Sequence, residues 1–263
     1  MGPSGKPRVS DPKDPVLWCK EASSRLEAGD DKGALFCYME AVKIRQQSAD
    51  VWFNIVSLGE KCGEKATAFA ATVTAEKLFP NDYRFPAEQA RMFAGEKKYA
   101  KAVEAIERAA AINPYAPVLL SNKAGYLLFA GENEKAVEAA DAALAIDPAY
   151  VPAYLHKAHA LVNLGKLKEA DELLEAASSD PRARKMQANI CIRMQEFARA
   201  RDKAASAADE NPEDDEAWSL LGASYAYLEE FENAADAFGQ AVKLNPKEKS
   251  YRANLAAVKR EKR

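Results

Sequence analysis

The sequence predicts an all-α solenoid built of antiparallel helix pairs, and three periodic features carry that reading. The first is a ladder of alanines at Ala34, Ala68, Ala102, Ala136, Ala170, Ala200 and Ala234, spaced 34 residues apart except for a step of 30 between Ala170 and Ala200. A second ladder follows seven residues behind, at Ala41, Ala75, Ala109, Ala143, Ala177, Ala207 and Ala241. Self-similarity of this period marks an array whose units cannot bury their apolar faces alone. Alanine recurs where two helices approach too closely for a larger side chain. The third feature is punctuation: Gly29, Gly63, Gly131 and Gly165 fall inside units, and Phe79-Pro80, Asn113-Pro114, Asp147-Pro148, Asn211-Pro212 and Asn245-Pro246 end them.

With the ladder alanine at position 20, the units are 15–48, 49–82, 83–116, 117–150, 151–180, 181–214 and 215–248. Each reads as two amphipathic helices and a short turn. In the last unit Trp218, Leu221 and Tyr225 recur at helical spacing, followed by Ala234, Phe238 and Ala241. The closing prolines stop one helix and set up the next. No β-branched alternation signals a strand.

These residues resemble the tetratricopeptide repeat pattern of Trp, Leu-Gly, Tyr, Ala, Phe, Ala and Pro over 34 residues. The last unit carries all of it, as Trp218, Leu221, Gly222, Tyr225, Ala234, Phe238, Ala241 and Pro246. Trp18 and Trp52 open the first two units, and Ala22, Ala90, Ala124, Ala158 and Ala188 keep the small eighth position. The resemblance covers the chain from Pro15 onward. It implies a right-handed superhelix with a concave groove lined by the first helix of each repeat.

Two departures stand out. The third unit has Pro86 and Gln89 where Trp and Leu are usual, so its first helix is expected to start late. The fifth lacks four residues between Ala177 and Pro181, although Asp180-Pro181 still offers a cap and a first-turn proline. An abrupt turn there would divide the array into 15–180 and 181–263; a tighter loop without functional meaning is the alternative. Residues 249–263 read as a capping helix with a basic end, where Lys259, Arg260, Lys262 and Arg263 complement the helix dipole. A nucleic-acid or membrane tail is the sharper reading of those cations. Residues 1–14 read as a disordered segment or an expression scar that could replace a native leader.

Composition excludes several classes. A net charge of −3 does not predict nucleic acid, and no apolar run is long enough for a membrane helix. Cys19, Cys37, Cys62 and Cys191 lack CxxC spacing, which fits a reducing, cytoplasmic setting. No catalytic motif occurs, so an enzyme is not expected. The two histidines, His156 and His159, lie three apart on one expected helix face, with Cys191 as a conceivable neighbour. A metal site would need further ligands that the sequence does not provide. Two groove histidines that hydrogen-bond a ligand or water are the favoured reading, and no cofactor is expected.

The candidate site is therefore the groove. The resemblance assigns to it Asn54, Arg84, Arg91, Asn122, Phe129, Leu155, His156, His159, Lys185, Asn189 and Arg193. Asparagine can donate to and accept from a peptide backbone, and arginine can grip a carboxylate with two donors. Phe129 and Leu155 would be apolar anchors; Arg91, His156, Lys185 and Arg193 would be polar ones. The lining implies a non-catalytic adaptor or scaffold that holds an extended, acidic peptide segment of a partner protein, as a monomer. The alternative is an assembly module that self-associates or joins a larger complex. Lys185 and Asn189 match part of the clamp that family members use for acidic chaperone tails, but Leu220 stands where asparagine is required, so chaperone co-factor activity is not expected. The asparagine ladder of glycosyltransferase-type arrays is equally partial.

Overall fold

The computed structural model describes residues 9–261. Among them the chain forms seven helix pairs and a final helix. The pairs are α1 (Pro15–Glu27) with α2 (Asp31–Ile44), α3 (Ala49–Lys61) with α4 (Lys65–Leu78), and α5 (Arg84–Gly95) with α6 (Tyr99–Ile112). They continue as α7 (Pro117–Ala130) with α8 (Asn133–Ile146), α9 (Val151–Asn163) with α10 (Leu167–Glu175), α11 (Pro181–Arg193) with α12 (Phe197–Glu210), and α13 (Asp215–Tyr227) with α14 (Phe231–Leu244). The last helix is α15 (Lys249–Glu261). No strand occurs among the described residues. The fold is the expected helical-repeat solenoid.

The chain divides into two compact units, Met1–Leu119 and Leu120–Arg263, with the boundary inside α7. This corrects the expected division after Asp180. Leu161, Leu174, Ala177, Ala183 and Ile190 form one buried cluster across α9, α10 and α11, so the core runs straight through the short fifth repeat. The four missing residues are absorbed by α10 itself. It stops at Glu175, and the i→i+3 bonds Ala177 N–Leu174 O and Asp180 N–Ala177 O lead into the next helix. Asp180 then caps α11 by accepting from the Arg182 amide at 2.8 Å.

Both alanine ladders are buried. All seven residues of the first have no exposed surface, and the second reaches at most 2% at Ala177. Gly222 has the same cause: a Cβ there would lie 2.8 Å from the Phe238 ring. The four predicted turn glycines all adopt positive φ, between 74° and 83°. Lys97, Gln195 and Glu229 take the same conformation in three other repeats without a glycine to signal it.

A recurring bond ties the turn before several of the repeats to the helix that follows. Trp18 and Trp218 donate their indole N–H to the Pro12 and Pro212 carbonyls, each at 2.9 Å, and the Tyr154 hydroxyl donates to Pro148 at 3.0 Å. At the short step the equivalent residue is Arg184. Its Nη1 reaches the Ser178 carbonyl, again six residues back, at 2.7 Å, and its Nη2 pairs with Glu210. The longer guanidinium does at a compressed turn what tryptophan does at a regular one. The third repeat's first helix starts at Arg84, one residue into its unit, and Gln89 is buried there with both ends satisfied: it donates to Glu76 at 2.7 Å and accepts from Arg108 at 2.8 Å.

Candidate ligand groove

In the second unit α9, α11 and α13 line a cavity of about 420 Å³. Its apolar floor is Leu155, Val162, Met186, Ile190 and Leu220; His159, Lys185 and Asn189 stand at the rim. Four of the sequence-predicted residues, Leu155, His159, Lys185 and Asn189, therefore meet at one place beside the short repeat. Arg193 is exposed one helical turn beyond Asn189 on α11 and has no ion pair among the described residues. Asn189 is exposed, and its amide has no hydrogen-bond partner among them. Asn122 is half-buried on α7, and Phe129, near the end of that helix, is 71% exposed.

The histidines do not converge. His159 is exposed, and its Nδ1 lies 3.0 Å from the Leu155 carbonyl, which leaves Nε2 toward the cavity. His156 turns inward. Its Nδ1 lies 3.1 Å from the Ser121 hydroxyl, and its ring packs on Gly125, where a Cβ would come within 3.2 Å of Cε1 and Nε2. Glycine at that point of α7 is what admits the imidazole. Cys191 lies with neither: it is buried with Sγ 3.9 Å from Asp171, and burial pushes its thiol up to about 11, so it is protonated at neutral pH. Among the described residues no group of three or more His, Cys, Asp or Glu is placed to hold a metal ion.

Burial lowers the His156 pKa below its ordinary 6.5. The folded state resists a proton that the unfolded chain accepts, so stability is complete above the unfolded pKa and falls as the pH drops through it. The second unit should lose stability as the pH falls from about 7 through the ordinary histidine range. Urea midpoints measured across that range should slope in the wild type, and His156→Gln should shrink the slope; an unchanged slope would refute the inward placement.

Several cations assigned to the groove are already matched. Lys185 lies 2.8 Å from Asp214 and 2.7 Å from Glu216. In the first unit Arg84 bonds Asp50 at 2.9 Å and Asp82 at 2.7 Å, and its guanidinium sits 5.3 Å from the centre of the Phe53 ring. Its hydrogen bond holds the Asp82 carboxyl below the usual carboxylate range. Arg91 pairs with Glu60 and Glu88 beside a separate cavity of about 320 Å³, which Phe69 and Met92 also line. Asn54 is half-buried in the same unit. Sequence reasoning missed Asp50, Glu60 and Glu216 as counter-ions because they come from neighbouring repeats. It also missed Met186, Ile190 and Leu220 as the cavity floor; their apolar spacing on α11 and α13 was the available signal.

Two tetratricopeptide repeat models match the sequence, at residues 127–190 and 215–248. The chain carries tetratricopeptide repeats over those residues. Among curated proteins no sequence matches it significantly. A tetratricopeptide repeat protein from Parabacteroides merdae is similar in structure at 16% identity, with a TM-score of 0.70 over 93% of this chain and 98% of that one. Yeast Tom70 aligns at 13% identity and a TM-score of 0.64, over 96% of this chain and 55% of its own. YrrB, described as a TPR protein with an unusual peptide-binding site, aligns at 19% identity and 0.53, over 72% of this chain and 98% of its own. Likenesses at such identities speak for the fold. Tetratricopeptide repeats generally mediate protein–protein interactions and are typically non-catalytic. No described helix is long and apolar enough to cross a membrane.

Proposed function

We propose that this chain is an adaptor that holds an extended segment of a partner protein in the groove of its second unit. The observation that carries this reading is the cavity of about 420 Å³, where an apolar floor meets an unengaged amide at Asn189. Such a site takes one large apolar side chain on Leu155, Met186 and Ile190, while Asn189 bonds the ligand backbone. The acidic character expected of the ligand rests on Arg193 and His159, since Lys185 is matched by Asp214 and Glu216. The favoured segment therefore carries an apolar residue with a carboxylate about one helical turn away. That YrrB is described as having a peptide-binding site is in keeping with this use of the fold.

Peptide display on the purified chain tests it. Selected peptides should share an apolar anchor and an acidic neighbour. Asn189→Ala should weaken them by about 1 kcal/mol, roughly fivefold, and Arg193→Glu should weaken acidic peptides most. Rising salt should reduce affinity only modestly, because one exposed arginine carries most of the attraction. Peptides that bind equally well to Asn189→Ala and Leu155→Glu would show that the groove is not the site.

A further inference from the structure

Away from the groove, the seventh repeat has a second cavity, a notch of about 240 Å³ between α13 and α14. Trp218, Leu221 and Tyr225 form its wall on α13; Asn233, Asp236 and Gln240 form its rim on α14. In the first repeat the corresponding space is filled. There Phe36 follows Trp18 by eighteen residues, and its ring packs edge-on against the indole with centroids 6.1 Å apart. In the seventh repeat the residue eighteen after Trp218 is Asp236. A short carboxylate stands where the first repeat has a ring, so the space beside Trp218 is open and acquires a negative charge.

That charge has no counter-ion. Asp236 is exposed and makes no ion pair among the described residues. The neighbouring Arg201 is held elsewhere, 2.8 Å from Asp202 and 3.7 Å from Glu230. The Trp218 N–H is committed to the Pro212 carbonyl, so what the notch meets is ring rather than donor. Asn233 donates to Glu230 at 2.8 Å, which leaves its carbonyl oxygen available, and Gln240 has no hydrogen-bond partner among the described residues. An aromatic wall attracts a cation through the negative faces of its rings, and a carboxylate beside it adds direct charge pairing. Acceptors at Asn233 and Gln240 suit the remaining N–H groups of such a ligand.

We propose that this notch is a second binding site, which takes a lysine or arginine side chain of a partner protein. Its volume accommodates one such side chain, and it uses no residue of the groove. A partner could therefore engage both sites or either one.

The three tryptophans give a direct test in the full chain. Their indole N–H signals, labelled with nitrogen-15, are followed by NMR while N-acetyl-arginine amide is added, with the neutral isostere N-acetyl-citrulline amide as control. The Trp218 signal should shift saturably with the arginine probe only, and the Trp18 signal, whose space Phe36 fills, should stay in place. Asp236→Asn, an exposed substitution whose fold is checked by circular dichroism, should abolish the shift, and Asp236→Phe should close the notch. Asn189→Ala should leave the response intact, which separates this site from the groove. A Trp218 signal that stays still, follows citrulline equally, or still shifts in Asp236→Asn would overturn the proposal.

Discussion

Replacing Phe85 with alanine is expected to cost the first unit about 3–5 kcal/mol. Phe85 has no exposed surface and is among the largest fully buried side chains of the chain. Its ring lies 6.2 Å from Phe79 and 6.5 Å from Phe53, so it joins α3, α5 and the turn between α4 and α5. The third repeat lacks the usual tryptophan, with Pro86 in its place, and Phe85 supplies the missing aromatic bulk from the preceding position. Alanine would leave a void that helices fixed on both sides cannot close. Trp18 and Trp52 report on this unit and Trp218 on the other, so denaturant unfolding in a Trp218→Phe background follows the first unit alone. Phe85→Leu should recover most of the loss, because it restores most of the volume. A loss below about 1 kcal/mol would mean that Phe85 does not anchor this core.

Leu174→Ala should cost the second unit about 2–5 kcal/mol and also weaken ligand binding. Leu174 is completely buried in the cluster that joins α9, α10 and α11. It stands one residue before α10 ends early, so the inter-repeat packing normally provided by a full last turn falls on it. Ile190 belongs to the same cluster and also forms part of the groove floor. A cavity behind Ile190 lets that floor relax, and groove affinity should fall even though Leu174 touches no ligand. Trp218 fluorescence follows the stability loss, and titration of a display-selected peptide follows the affinity. If affinity held while stability fell by this amount, the coupling through Ile190 would be wrong.

Much of the fold is legible in the sequence, because an array repeats its constraints. Each ladder alanine faces a helix at the same close approach, so a single rule seen seven times is hard to mistake. The X-Pro endings and the glycines at positive φ act through local backbone sterics, which neighbouring repeats do not alter. The candidate groove is only partly legible. Leu155, His159, Lys185 and Asn189 were assigned to the groove by their positions in the family's repeat pattern. His156 has a phase as suitable as theirs, yet it turns inward because Gly125, on the preceding repeat, leaves room for its ring. The short step does not divide the chain as its abruptness suggested, because one buried cluster runs through it.

By itself the sequence determined the period, the helix pairs, the buried ladder and the caps, all of which follow from short-range geometry repeated along the chain. Only the tertiary structure decided which charges are free. Arg84 meets Asp50 from 34 residues away and Lys185 meets Glu216 from 31, and no local pattern announces those partners. It also decided where space remains beside Trp218, because a cavity depends on the volumes of side chains brought together from separate helices.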